Sequence, residues 1–180
     1  MFVISAPSGT GKTTISGRLR RTGLLRVSIS HTTRPPRAGE RNGAEYFFVG
    51  RDEFLRMRDG GGFLEWAEVF GNYYGTGAEW VRNQLAAGAD ILLEIDVQGA
   101  RQVKKAAPEA VLIFIRPPSV AALAARLKKR GNDAPEVVAR RLAAAEAEIA
   151  RAGEFDYGII NDDLDRAVAE IRAIIAPPRS

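Results

Sequence analysis

A glycine-rich turn directly after the first apolar run has residue types suited to binding phosphate. The run Phe-Val-Ile-Ser (2–5) is predicted to be a buried strand, and it leads towards Gly9, Gly11, Lys12 and Thr13. The two glycines allow the backbone to curl so that successive N–H groups point inward at phosphate oxygens. A helix predicted from Gly11 adds the partial positive charge of its N-terminus. Lys12 is expected to reach the β- and γ-phosphates of a nucleoside triphosphate, and the Thr13 hydroxyl to bind Mg²⁺.

This segment departs from the strict phosphate-loop pattern, Gly-x4-Gly-Lys-[Ser/Thr], because Ala6 stands at its first glycine position. A Gly-x-Gly-Lys-Thr sequence also occurs by chance in ordinary turns. The preceding strand and the following helix favour the functional interpretation over that alternative. The residues predicted to bind the phosphates of ATP through this loop are Ala6, Pro7, Ser8, Gly9, Thr10, Gly11, Lys12, Thr13 and Thr14.

Two carboxylates stand at the end of a second apolar run, in Glu94-Ile-Asp96. Alternate residues of a strand share a face, so both carboxylates are expected to point the same way. The carboxyl ends of parallel strands form the crevice where such sheets bind ligands, and Mg²⁺ requires oxygen ligands. The alternative is a solvated strand end. Beside a phosphate loop we favour a metal site, to which Thr13 and these carboxylates could contribute.

Two arginines lie close together in a segment stiffened by proline, Arg34-Pro-Pro-Arg37. Guanidinium groups bind phosphate oxygens through paired hydrogen bonds, and tyrosine hydroxyls can add to them. With Tyr46 and Tyr74, these arginines form a candidate phosphate clamp. Arginines in loops are more often simply solvated, so this interpretation depends on the surrounding sequence.

Short apolar runs alternate with helical segments along most of the chain, a pattern typical of a parallel sheet covered by helices on both faces. Strands are predicted at 2–5, 27–29, 91–96, 111–115 and 157–160, and helices at 11–21, up to 105, 119–129, 135–150 and 163–174. Residues 30–76 break this rhythm with frequent turn signals and aromatic strand-like runs. They predict a small, mainly antiparallel insertion with one short helix at 52–58.

The composition limits the class of protein. Hydrophobic residues make up 46% of the 180 residues, which excludes a disordered chain. The chain has no cysteine and one histidine, His31, so neither a disulfide framework nor a histidine metal cluster is expected. The opening apolar run is too short for an export signal or a membrane span, which predicts a cytoplasmic protein. The net charge of +4 suits acidic ligands. Basic residues alternate with acidic ones along the helices, so nucleic acid is not an expected partner.

Taken together, these segments closely resemble the guanylate kinase family, and the resemblance covers essentially the whole chain. The matching stretches include the phosphate loop, the Thr-Thr-Arg-Pro-Pro-Arg-Ala-Gly-Glu segment (32–40), Gly-Asn-Tyr-Tyr-Gly-Thr (71–76), Ile-Asp-Val-Gln-Gly (95–99), Arg-Leu-Lys-Lys-Arg-Gly-Asn-Asp (126–133) and Asn-Asp-Asp (161–163). The arginine segment combined with the Tyr-Tyr-Gly-Thr hairpin is highly specific. The resemblance implies transfer of a phosphoryl group from ATP to GMP, with Mg²⁺ as the cofactor.

The resemblance also implies roles for individual residues. The GMP site would comprise Ser30, Arg34, Arg37, Glu40, Tyr46, Glu65, Tyr74, Thr76 and Asp96. Within it, Glu65 would accept hydrogen bonds from the guanine edge, and the hydroxyls of Ser30 and Thr76 would donate to O6 or N7. Asp96 would bind the metal together with Thr13 and would lie between the metal and GMP. Glu94 stands where the family often has Asp, so Asp96 is preferred over Glu94 as the ligand. Asn161 and Asp162 would lie near the adenine of ATP. The residues implied in catalysis are Lys12, Asp96, Arg130 and Arg141.

The fold implied is an α/β phosphate-loop protein, a three-layer sandwich around a parallel sheet, with a GMP-binding insertion and a helical lid. The core would comprise residues 1–29, 77–128 and 150–180, the insertion 30–76, and the lid 129–149. His31 matches no catalytic role and is expected in a loop.

Two other functions remain open at this point. Guanylate-kinase-like modules of scaffold proteins bind protein ligands without catalysis, but they typically lack an intact phosphate loop or lid arginines. A related kinase for a phosphorylated sugar should lack the combination of Glu65 and Tyr74. The oligomeric state is undetermined.

Overall fold

The computed structural model describes residues 1–129 and 135–176. Nine strands are present in this part of the chain: β1 (Phe2–Ser5), β2 (Arg26–Val27), β3 (His31–Thr32), β4 (Phe47–Phe48), β5 (Phe63–Val69), β6 (Asn72–Gly77), β7 (Ile91–Glu94), β8 (Val111–Arg116) and β9 (Tyr157–Ile160). The α-helices of the same part are α1 (Lys12–Arg21), α2 (Arg51–Asp59), α3 (Ala78–Ala86), α4 (Val97–Ala106), α5 (Val120–Lys129), α6 (Pro135–Ile149) and α7 (Leu164–Ile175). A short 3₁₀ turn spans Ala152–Glu154.

The larger sheet has the strand order β2-β7-β1-β8-β9, and each adjacent pair is parallel. Its strands are apolar on both faces, because helices cover both. Ile4 and Leu92 face α1 and α7, where they pack with Ile171. Val3 and Leu93, one residue away along their strands, pack on the opposite face, towards α3 and α4. The predicted three-layer sandwich is confirmed.

The smaller sheet has the order β4-β3-β6-β5. Strand β6 is antiparallel to both β3 and β5, whereas β3 and β4 are parallel, so the prediction of a mainly antiparallel sheet holds. Helix α2 anchors this sheet through Phe54, which is fully buried and stacks on the rings of Phe63 and Tyr73 at centroid distances of 4.4 and 5.4 Å. His31 belongs to β3, and its expected position in a loop is wrong.

Helices α5 and α6 pack on each other through Leu123, Leu127, Val138 and Ala145, all of which are buried. One helix, α3, was absent from the predicted elements. It is short and buries only Ala78 and Val81, which leaves little periodic signal in the sequence. No helix in residues 1–129 or 135–176 is long and apolar enough to cross a membrane.

Candidate active site

The glycine-rich turn joins β1 to α1 at the carboxyl edge of the larger sheet. Gly9 and Gly11 have φ angles of 87° and 98°, in the left-handed region that favours glycine. Ala6 lies outside that region, so alanine can occupy the first position of the pattern without backbone strain. The buried side chain of Asn161 supports the turn, because its Nδ2 donates to the Thr10 carbonyl oxygen at 2.6 Å.

Asn161 therefore braces the loop as well as lining a cavity next to it. This cavity of about 490 Å³ has Gly9, Gly11, Thr14, Asn161 and Asp162 among its lining residues. It is large enough to contain a nucleobase, and its lining includes both residues predicted to lie near the adenine of ATP. Asp162 is exposed and paired with Arg166, whose hydrogen bond lowers the pKa of this carboxyl.

Lys12 and Thr13 contact the segment that follows β7. The Lys12 ammonium donates to the Ile95 carbonyl oxygen at 3.0 Å, and the Thr13 hydroxyl donates to Glu94 Oε1 at 3.2 Å. Strand β7 ends at Glu94, so Asp96 is not a strand residue as the sequence had suggested. It is the N-cap of α4, and its Oδ1 accepts the backbone N–H of Gly99 at 2.8 Å.

The oxygen donors beside the loop suit Mg²⁺. Thr13 supplies a hydroxyl, and Glu94 and Asp96 supply carboxylates, which are the hard ligands that this ion prefers. No group of three or more histidine or acidic side chains in the described residues forms a metal cluster of its own. Few protein ligands suffice for Mg²⁺ in nucleotide sites, since it keeps water molecules and binds substrate phosphates.

The two predicted clamp arginines are arranged by Glu40. Both Glu40 carboxylate oxygens accept from Arg34 Nη2, at 3.0 and 2.9 Å, and Glu40 Oε2 also accepts the Arg37 backbone N–H at 2.8 Å. Burial alone would raise the pKa of Glu40, but the Arg37 N–H and the Arg34 guanidinium lower it. Glu40 is therefore an ionised brace that orders the loop. Arg34 Nη1 donates to the Pro35 carbonyl oxygen at 2.7 Å, and the guanidinium held in this way lines the site.

Two tyrosines complete the wall next to these arginines. The rings of Tyr46 and Tyr74 lie 5.9 Å apart, and the Arg34 guanidinium is 5.5 Å from the Tyr46 ring centre. Burial raises the pKa of Tyr46 to about 12, so its hydroxyl keeps its proton and can donate. A cavity of about 500 Å³ brings Arg34, Arg37 and both tyrosines together with Thr13 of the phosphate loop.

Glu65 is the most deeply buried carboxylate of the site, at 3% exposure. Burial raises its pKa to about 7, although a hydrogen bond from Thr76 opposes the shift. The Thr76 hydroxyl donates to Glu65 Oε1 at 2.5 Å. That proton is already used and Thr76 is fully buried, so its hydroxyl holds Glu65 in place and is not the free donor predicted from the sequence.

A smaller cavity of about 190 Å³ lies between Glu65 and the phosphate loop. Its lining includes Lys12, Ser30, Glu65, Tyr74 and Asp96. It shares Tyr46, Tyr74 and Glu94 with the clamp cavity, so the two adjoin. The structure thus brings the predicted GMP residues of the insertion to one side of the phosphate loop, with the candidate adenine cavity beside the same loop.

Helix α6 faces the same edge of the sheet. Arg141 lies on this helix and is half-buried, whereas Arg130 is outside the described residues. Glu148, which the sequence analysis missed, lines a cavity with Asp96 and Gln98. Burial raises its pKa to about 7, and the charge of Lys12 opposes that shift. A single glutamate on an amphipathic helix carries no sequence signal that separates it from solvated neighbours.

A phosphate loop at the carboxyl edge of a parallel sheet, opposite an arginine- and tyrosine-lined cavity, defines the class: a phosphate-loop nucleotide-binding protein. Comparison with known proteins specifies the family. The family model for guanylate kinase matches residues 1–177. The chain belongs to the guanylate kinase family, which confirms the resemblance inferred from its motifs.

Individual relatives agree over almost the full chain. The guanylate kinase of Neisseria meningitidis serogroup B is 58% identical over 97% of this chain and 86% of its own length. That of Dechloromonas aromatica is 54% identical over 97% of this chain and 87% of its own. The crystal structure of guanylate kinase from Anaplasma phagocytophilum superimposes with a TM-score of 0.81 at 35% identity, covering 97% of this chain and 83% of that one.

Proposed function

We propose that this chain transfers the γ-phosphoryl group of ATP to GMP, forming ADP and GDP. The observation that carries the proposal is the buried Glu65 carboxylate, which opens onto a cavity between the arginine clamp and the phosphate loop. Membership of the guanylate kinase family supports both the reaction and the acceptor.

Guanine recognition follows from the chemistry of that carboxylate. Guanine presents N1–H and its 2-amino group side by side, and an ionised carboxylate only accepts hydrogen bonds. Adenine has a lone pair at N1 and no 2-amino group, so it would offer no donor to the buried Glu65 carboxylate. Thr76, whose proton is engaged by Glu65, would hold that carboxylate against the base, and Ser30 would donate to O6 or N7.

The phosphate of GMP would bind at the other end of the cavity. Arg34 and Arg37 supply the positive charge, Tyr46 and Tyr74 supply hydroxyl donors, and Glu40 orders the loop that carries the arginines. A nucleoside monophosphate would contact Glu65 with its base and the clamp with its phosphate at the same time. A free base would contact Glu65 alone, so the site would favour the monophosphate.

On the donor side, the loop 6–14 would hold the triphosphate, with the adenine in the cavity beside Asn161 and Asp162. Thr13 and Asp96 would hold Mg²⁺, and Glu94, which contacts Thr13, is placed to assist. When bound, Mg²⁺ neutralises charge on the β- and γ-phosphates. Asp96 would lie between this site and GMP, since it lines the base cavity as well.

Transfer then depends on alignment and charge more than on proton removal. The phosphate oxygen of GMP is already a nucleophile at neutral pH, so the site needs no histidine base. Lys12 would exchange its contact with Ile95 for the phosphoryl oxygens during transfer. We propose that residues 129–149 form a lid whose Arg130 and Arg141 close on the transferring group. Closure would exclude water, a competing acceptor.

The substitution Glu65→Gln tests the proposal. It replaces one acceptor oxygen by a donor amide and removes the charge, so kcat/KM for GMP should fall roughly 10- to 1000-fold, or about 1–4 kcal/mol. The KM for ATP should hardly change. IMP lacks only the 2-amino group, so its deficit relative to GMP should shrink in the variant.

The measurement is a coupled assay of ADP release with GMP, IMP and AMP. Glu68→Gln is the matched control, because Glu68 lies on the same strand but is exposed. If the wild-type protein failed to phosphorylate GMP, or if Glu65→Gln kept full activity and the same ratio of GMP to IMP, the proposed site would be wrong.

A further inference from the structure

Gly99 lies in the first turn of α4, where it is buried and faces Glu65. A Cβ atom built on Gly99 would lie 2.3 Å from Glu65 Oε2 and 3.0 Å from its Cδ. The φ angle of Gly99 is not in the positive region, so the backbone itself does not require glycine here. The reason for glycine at this position is the space taken by the carboxylate.

The same residue also orients the second carboxylate of the cavity. The backbone N–H of Gly99 donates to Asp96 Oδ1 at 2.8 Å. On its far side, Glu65 is held by the Thr76 hydroxyl at 2.5 Å. The Glu65 side chain is therefore held between β6 and α4, and the space open to it is the base cavity that it lines.

We propose that Gly99 is a specificity-determining positioning residue, which keeps the first turn of α4 open so that the Glu65 carboxylate lies where it meets the base edge. This inference rests on the proposed function of Glu65. A methyl group at position 99 would push the carboxylate away from α4, either further into the base cavity or out of its contact with Thr76. Either movement would displace Glu65 from the position in which it accepts hydrogen bonds from both the N1–H and the 2-amino group of guanine.

The effect on folding should be smaller than the effect on recognition. Alanine is a better helix former than glycine, so Gly99→Ala by itself favours α4. The atom in conflict is the end of a side chain and not backbone, so a shift of Glu65 can relieve the contact. We therefore expect a folded protein with an altered base site.

The primary test compares Gly99→Ala with the wild-type chain in steady-state kinetics. The KM for GMP should rise at least tenfold, the preference for GMP over IMP should fall, and the KM for ATP should stay within about twofold. Gly153→Ala is the matched control, because Gly153 is exposed and a Cβ there would meet nothing within 4 Å. This control should match the wild type in every parameter.

A double variant separates positioning from a general packing role. Asp is one methylene shorter than Glu, so Glu65→Asp makes room for the new methyl group. If the conflict lies between these two side chains, the double variant Gly99→Ala with Glu65→Asp should retain more GMP activity than independent effects would give. Independent effects would multiply the fold-losses of the two single variants. Losses that multiply would overturn the proposal.

Two further outcomes would also overturn it. One is a Gly99→Ala protein whose KM for GMP lies within twofold of the wild-type value. The other is a variant that melts well below the wild type and that Glu65→Asp does not restore, which assigns to Gly99 a packing role only. Failure of the wild type to use GMP would instead refute the proposed function, so the two failures are distinguishable.

Discussion

At the scale of single residues, the site depends on a carboxylate that the fold makes costly to ionise. Glu65 is at 3% exposure, and burial raises its pKa from 4.5 to about 7. The Thr76 hydroxyl offsets part of that cost, and the donors of a bound guanine would offset more. In the free protein, therefore, the Glu65 carboxylate lacks some of the hydrogen-bond donors that would stabilise its ionised form, and a bound guanine would supply them.

The raised pKa predicts a pH dependence of stability. The folded state binds a proton at Glu65 more tightly than the unfolded state does, so this stabilising term is fully present below pH 4.5 and is lost as pH rises through about 7. The shift corresponds to about 3 kcal/mol. Between pH 4 and pH 8 the free energy of unfolding of the wild type should therefore fall by about that amount relative to that of Glu65→Gln. The variant lacks this loss because Gln cannot ionise.

Urea denaturation at several pH values measures this difference. Glu68→Gln is again the control, and its curve should run parallel to that of the wild type, because Glu68 is exposed. Parallel curves for Glu65→Gln and the wild type would mean that Glu65 is ionised without cost in the folded protein.

At the scale of elements, the hairpin between β5 and β6 contains a strained turn. Phe70 and Gly71 form its two-residue loop, with φ angles of 50° and 80°. Positive φ at both positions is the geometry of a type I′ turn, which suits Asn-Gly much better than Phe-Gly. Packing of the phenyl ring offsets little of the cost of this backbone conformation, since Phe70 is 54% exposed.

Phe70→Asn should therefore stabilise the protein by about 1 kcal/mol, because asparagine adopts the left-handed conformation more readily. For a chain of this size the melting temperature should rise by about 2–4 °C. Differential scanning calorimetry is the measurement, and Gly71→Ala, which places a side chain at the other positive φ, should lower the melting temperature. A lower melting temperature for Phe70→Asn would show that contacts of the phenyl ring outweigh the strain of the turn.

At the scale of the whole molecule, the larger sheet carries the phosphate loop, and the smaller sheet carries Glu65 and the loop of the candidate clamp. Helix α6 lines a cavity with Asp96 and the first turn of α4. In the proposed mechanism the α6 arginine acts on the transferring group and not on the bound nucleotides. Arg141→Ala should then lower kcat by about 10³-fold while changing the KM for GMP only slightly.

Arg140→Ala provides the comparison, because Arg140 is the exposed neighbour on the same helix. Steady-state kinetics of both variants with saturating ATP separates kcat from KM. A kcat for Arg141→Ala within about threefold of the wild type would make Arg141 an ordinary surface charge. Arg130, outside the described residues, is expected to behave like Arg141 in the same assay.

The amino-acid sequence by itself determined those features that depend on neighbours along the chain. The turn at Gly9 and Gly11, the parallel strands and the proline-stiffened arginine segment follow from local geometry and periodicity, and the motifs identified the family. The structure confirms the three-layer fold that they predicted.

Only the tertiary structure decided how the residues act on one another. The Asn161 amide braces the loop at Thr10, 151 positions away in sequence, and Gly99 leaves room for the carboxylate of Glu65. Asp96 caps α4 because β7 ends two residues earlier than the apolar pattern suggested. The physical reason is that a spacing rule specifies which residues share a face of one element. Burial, and with it the pKa and the available space at Glu65, depends on which separate elements pack together.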